Sequence, residues 1–282
     1  MRIAPYWVRE KREIAGMLFR LQGYSFCSAE EAQARLEEKA RLHAALYGSP
    51  AAISPAEYRA RLRRLDEQPD TGEYSAVIAE ELLEELDARN VITRNRYGAE
   101  VLNSEDTCFL DVDHFVPTGL WTRIVRCFGG GPGEEELLLE AVRRLCREEP
   151  ELGVRVYRTA RGWRLAAVAP GLSPGSVAME TLCSRLQVDA LYCKLCMKQG
   201  CWRARLTPKP FRLRMPGKYP QPLSSSAAGG QEAQEWLALY KARAAGSAVC
   251  RLVDTVGTPV RNAIISLHDE RTGALKPELP LC

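Results

Sequence analysis

The chain is short of the patterns that assign a function quickly. Its 282 residues contain no Gly-x-Ser-x-Gly elbow, no Walker-type loop and no Gly-x-Gly-x-x-Gly, which removes the usual signals for a serine hydrolase, a P-loop nucleotidase and a dinucleotide-binding fold. No apolar run approaches the roughly 20 residues of a membrane-spanning helix. Charges at Arg2, Arg9, Glu10, Lys11, Arg12 and Glu13 do not fit a secretory leader. A cytoplasmic protein without membrane attachment is expected, with its ten cysteines as reduced thiols and not a disulfide framework. Net charge is also scarce: 39 basic against 36 acidic residues give +3. With 46% hydrophobic and 27% charged residues, the composition excludes collagen-like and wholly disordered chains.

The small total hides a segregation. Residues 28–90 carry 14 acidic and 8 basic side chains, whereas residues 155–218 carry 13 basic ones against only Glu180 and Asp189. A local excess of +11 points to a phosphate-bearing partner more than to a mixed solvated surface.

The order of elements suggests an α+β chain in four parts. Residues 1–90 read as a helical N-terminal segment, with helices over 30–47 after Ser28, from Pro55 to Leu65, and over 75–88 with Ile78, Leu82, Leu83 and Leu86 on one side. Residues 91–218 read as the core. It opens with two short strands joined at Tyr97-Gly98 and an apolar strand over 107–113, then a glycine-rich loop over 129–133. A helix over 134–148, strands over 154–159 and 163–168, a helix over 174–187 and a strand over 201–206 follow. The last six elements give β-α-β-β-α-β, the ferredoxin-like (βαββαβ) order, which serves both RNA-binding sheets and polymerase palms and so does not choose a function. Residues 219–231, rich in Pro, Ser and Gly, read as a linker; residues 232–282 read as a helix and a short β tail around 263–268, packing on the core.

Four constellations could carry chemistry. In Phe109-Leu110-Asp111-Val112-Asp113, strand alternation puts Asp111 and Asp113 on one face with Phe109. Two carboxylates so close repel unless a hard cation such as Mg²⁺ or Mn²⁺ lies between them; the plainer reading is a turn cap beside an ordinary polar position. The hairpin over 157–164 crowds Arg158, Arg161 and Arg164 around Gly162, where guanidinium forks match phosphate oxygens or simply coat an exposed tip. In the strand from Cys201, Arg203 and Arg205 share a face and Lys209 follows, which suits a phosphate-lined cleft. Cys193 and Cys196 have zinc-like spacing that Cys183 or Cys201 could complete, with no histidine nearby; buried thiols are the alternative. His114 directly follows Asp113 and is placed to support it, while His43 and His268 read as structural.

The blocks 92–99, 109–113, 157–165 and 203–210 are similar to those of an uncharacterised bacterial protein family, a likeness that implies no activity. More distantly, the ordering resembles the archaeo-eukaryotic primase superfamily. That resemblance implies a palm-like core and metal-dependent nucleotidyl transfer. Asp111 and Asp113 would hold the catalytic metals, Asp189 or, less well placed, Glu180 would be the third carboxylate, Arg158 to Arg164 would hold a triphosphate, and Arg205 with Lys209 would contact phosphate. Arg164 stands where that family has histidine. The expectation is therefore a metal-dependent nucleotide- or nucleic-acid-binding protein with nucleotidyl transfer as its enzymatic form. The alternatives are a non-catalytic RNA- or DNA-binding module and a zinc-stabilised interaction protein.

Overall fold

Strand alternation begins earlier than the sequence suggested. In the computed structural model, which describes residues 1–48, 50–66, 76–116, 132–227, 230–260 and 262–282, Tyr6–Ile14 (β1) and Met17–Ser25 (β2) form an antiparallel hairpin. Its two-residue turn, Ala15-Gly16, has φ of 51° and 76°, the left-handed pair that a tight hairpin needs. Helix α1 (Ala29–Tyr47), capped by the Ser28 hydroxyl, buries Ala32, Leu36 and Ala40, of which Leu36 and Ala40 pack with Leu21 of β2. Helix α2 (Pro55–Asp66) follows.

The expected helix over 75–88 is corrected. Residue 75 lies outside the described residues, and Glu81–Asp87 is strand β3, paired with β4 (Asn90–Arg94). Register shifts at Leu82/Glu84 and Glu85/Asp87 explain the misreading. Bulges offset strict alternation, so Leu83 and Leu86, three apart, both reach the core and imitate helical spacing.

Strand β5 (Glu100–Ser104) completes the expected hairpin with β4. Next come β6 (Cys108–Val112), α3 (Glu134–Glu148), β7 (Gly153–Thr159), β8 (Trp163–Val168) and α4 (Val177–Arg185). Of the glycine-rich loop, 129–131 lie outside the described residues, and Gly133 caps α3. A helix that was not expected, α5 (Ala190–Gln199), precedes β9 (Trp202–Arg205). Helix α6 (Gln231–Ala244), strand β10 (Cys250–Gly257) and helix α7 (Ala263–Thr272) end the chain.

These elements make a mixed α+β protein with two four-stranded antiparallel sheets, β10-β7-β8-β6 and β3-β4-β5-β9. The order β6-β8-β7 is the one a βαββαβ unit gives, but its fourth strand departs. β9 pairs with β5, Val101 opposite Arg205 through Ser104 opposite Trp202. Where β6 and β9 approach, the Tyr192 hydroxyl lies 2.6 Å from the Phe109 carbonyl and 3.1 Å from that of Arg203, in place of a ladder. The other edge is closed by β10 beside β7. The expected β tail at 263–268 is instead α7, begun by the Asn262 side chain accepting from the amides of Ile264 and Ile265.

One core joins both four-stranded sheets to α3, α4, α5 and α7, including Leu102, Phe109, Leu138, Val142, Val156, Leu165, Met179 and Trp202. The expected linker is tied down: the Tyr219 ring lies tilted against that of Trp236 with centroids 5.2 Å apart, and Ser225 donates its amide to the Trp7 carbonyl at 2.8 Å. Among the described residues no helix is long and apolar enough to cross a membrane.

Candidate functional site

The two sheets meet at a cleft of about 690 Å³, a size suited to a small-molecule ligand. Each wall follows from local chain geometry. The end of β6 supplies Asp111 and, one residue beyond the strand, Asp113. The β7–β8 turn folds onto them and supplies Arg161. Gly162 is needed there, because a Cβ would lie 2.3 Å from the Val112 carbonyl oxygen and 2.9 Å from the Asp113 Cα. From the other sheet come Arg205, the last residue of β9, and then Lys209 and Arg212. The start of α5 adds Asp189, Leu191 and Tyr192.

Asp111 and Arg164 sit directly opposite each other across β6 and β8, where opposite charges pair most readily. Arg164 Nε donates to Asp111 Oδ1 at 3.0 Å, and Nη1 donates to the Arg205 carbonyl at 2.8 Å. The guanidinium is 2% exposed, against 31% for the Asp111 side chain. Burial opposes the charge on Asp111, but the charge and hydrogen bond of Arg164, with Arg205 and Lys209, prevail and hold its carboxyl below the usual range. Burial and neighbouring cations push both Arg205 and Lys209 down. The site thus holds more positive charge than its own carboxylates relieve, which an anionic ligand would offset.

Behind Arg164 runs a buried polar chain. Its Nη1 lies 3.4 Å from His268 Nε2, and His268 Nδ1 lies 3.2 Å from Asp269 Oδ1. A carboxylate only accepts, so these partners assign the proton to Nδ1 and leave Nε2 as the acceptor. Burial brings His268 down to about 4, with Asp269 opposing. Asp269 also accepts from the Tyr157 hydroxyl at 2.7 Å and pairs with Arg155.

Seven of the sequence-derived residues line the cleft: Asp111, Asp113, Asp189, Arg161, Arg164, Arg205 and Lys209, and His114 joins them. Arg158 and Arg203 are not among its lining residues. Arg158 lies over the Trp163 ring at 4.4 Å, and Arg203 is held by Glu80 at 2.7 Å and Gln199 at 3.2 Å. Asp189 spends its carboxylate on the start of α5, accepting from Leu191 N at 2.8 Å and Tyr192 N at 3.4 Å. Phe109 is fully buried, its ring 4.9 Å from that of His268, so it offers no face for stacking a base. Sequence reasoning missed Arg212, Tyr192, His268 and Asp269. Arg212 lay within the basic stretch, but nothing local marks the other three.

Among the described residues no three His, Cys, Asp or Glu side chains converge as a metal group. For magnesium or manganese, the cleft-lining carboxylate of Asp111 and the exposed carboxylate of Asp113 are the right kind of donor, hard oxygens beside cations able to hold phosphate. They fit provided that ligand phosphates and water complete the shell. One pair of the cysteines lacks zinc spacing. Cys183 and Cys193 have their sulfurs 2.7 Å apart, whereas two thiolates on one tetrahedral zinc stand about 3.8 Å apart.

No family model, curated protein or solved structure matches the chain.

Proposed function

We propose that the cleft binds a phosphate-bearing ligand, a nucleotide or a nucleic-acid strand, together with a divalent cation, and that nucleotidyl transfer is the reaction it is built for. The observation that carries this reading is one cleft lined by Asp111 and Asp113 together with Arg161, Arg205, Lys209 and Arg212. The spatial order β6-β8-β7 supports a palm-like ancestry for the half that carries the aspartates.

A divalent cation bound there would lower the pKa of an attacking 3′-hydroxyl and neutralise charge developing on the α-phosphate. Each side chain then has a separate task. Arg205, Lys209 and Arg212 hold phosphate oxygens. Arg164 is a positioning residue: buried, with Nε on Asp111 Oδ1, it fixes the carboxylate at the cleft wall. Asp189 anchors the same wall, its amide donating to the Asp111 carbonyl at 3.2 Å.

Asp113→Ala is the discriminating variant. Asp113 is exposed, so its loss leaves the fold intact, whereas Asp111→Ala strands a buried guanidinium. In a primer-extension assay with Mg²⁺ and nucleoside triphosphates, extension by the wild type and its loss in Asp113→Ala are expected. Undiminished extension by that variant overturns the transferase reading. Polynucleotide binding that is salt-sensitive but indifferent to chelation, with no extension, favours a non-catalytic binding module.

A further inference from the structure

We propose that Cys183 and Cys193 form an oxidation site, a dithiol that closes to a disulfide and stiffens the segment flooring the cleft. The proposal does not rest on the nature of the ligand.

Cys183 lies near the end of α4 and Cys193 in the first turns of α5, with their sulfurs 2.7 Å apart. That approach is too close for shared zinc and some 0.6 Å longer than a disulfide bond of about 2.05 Å. Cys183 is half-buried and Cys193, though buried, keeps 8% of its surface exposed beside it, which gives a small oxidant a route to the pair, whereas Cys196 and Cys201 are completely buried.

The two sulfurs also differ in character. The sulfur–sulfur contact with Cys183 lowers the Cys193 thiol's pKa against the effect of burial. Burial pushes Cys196 up to about 12 and Cys201 up to about 11, and such thiols react slowly. Cys193 is therefore the attacking thiolate.

With hydrogen peroxide as oxidant, Cys193 Sγ attacks one peroxide oxygen and the O–O bond breaks. This leaves a sulfenic acid and a hydroxide that takes up the released proton as water. Cys183 Sγ then attacks the Cys193 sulfur, the S–O bond breaks, and the hydroxyl leaves with the Cys183 proton as a second water. Two thiols and one peroxide become one disulfide and two waters.

The ring so closed contains Asp189, whose amide holds the Asp111 carbonyl, and Tyr192, whose hydroxyl bridges β6 and β9. Oxidation thus tightens the wall that positions Asp111.

The test uses the full chain. Peroxide treatment, alkylation of free thiols under denaturing conditions and trypsin digestion place Cys183 on peptide 165–185 and Cys193 on peptide 186–194, because cleavage falls after Arg185 and Lys194. The expected result is a linked pair of these peptides that dithiothreitol separates, with Cys196 and Cys201 alkylated. Oxidised wild type should also melt about 5 °C higher than reduced, a shift absent from Cys183→Ser and Cys193→Ser. Singly alkylated Cys183 and Cys193 at a peroxide dose that oxidises exposed Cys27 overturn the proposal. So does one equivalent of bound zinc that Cys183→Ser releases.

Discussion

Replacing Arg164 with methionine tests how the cleft is held together. The change keeps an apolar stem in the core but removes three hydrogen-bonding interactions at once, those to Asp111 Oδ1, the Arg205 carbonyl and His268 Nε2. Removing one partner of a buried ion pair costs about 3–5 kcal/mol. Asp111 keeps 31% of its side chain exposed, so water recovers part of that, and a loss of about 2–4 kcal/mol is expected. Urea unfolding at pH 7 measures it. The pH dependence supplies a second readout with a definite sign. In the wild type the Asp111 carboxyl is held down against burial, chiefly by Arg164. Its contribution is present above the unfolded carboxyl value of about 3.9 and fades as pH falls through the lower folded value. Without the guanidinium, burial moves that carboxyl upward and the stabilisation shrinks, so the gap between wild type and variant widens from about pH 3 to about pH 7. A loss under about 1 kcal/mol, or a gap indifferent to pH, would refute the role assigned to the pair.

Two further outcomes follow from individual positions. Gly162→Ala places a Cβ 2.3 Å from the Val112 carbonyl oxygen, so the hairpin must lift off the end of β6. A loss of about 1–3 kcal/mol is expected in urea, together with weaker ligand binding as Asp113 shifts; unchanged stability would show that the hairpin tip packs elsewhere. His268 is held down to about 4 by burial, below its unfolded value of about 6.5. The unfolded chain therefore takes the proton first, and the wild type should lose up to about 3 kcal/mol as pH falls from about 6.5 to about 4. In His268→Gln, whose amide can both donate and accept, that slope should flatten; an unaltered slope would exclude His268 as its source.

The parts of the fold that were legible in the sequence are those in which local pattern and tertiary role agree. The strands at 108–112, 153–159 and 163–168 and the helix at 134–148 have clear periodicity and turn residues at their ends. The strand at 81–87 was not legible because its two bulges give leucines the spacing of a helix. The short β tail expected around 263–268 is a helix because Asn262 caps it there and its inner face, with Ile265 and His268, is buried. In the site, Asp111 and Arg164 could each be singled out, but their pairing depends on a register between strands 53 residues apart. Alternation put Arg203 and Arg205 on one face, and it could not show that Glu80, brought in just ahead of β3, would claim Arg203. His268 and Asp269 were out of reach, since their roles exist only once α7 packs behind β6 and β8.

The central claim is that the cations of this cleft hold phosphate, and salt dependence tests it most directly. Equilibrium binding of a labelled single-stranded oligonucleotide in the presence of Mg²⁺, measured over a series of salt concentrations, is compared between wild type and the double variant Lys209→Ala/Arg212→Ala. Removing a side chain that neutralises one phosphate should reduce the slope of log K against log salt by about 0.7 for a single strand. Weaker binding with a slope shallower by about 1.4 is expected. An unchanged slope and affinity in the double variant would contradict the claim, as would a wild type that binds neither the oligonucleotide nor a nucleoside triphosphate.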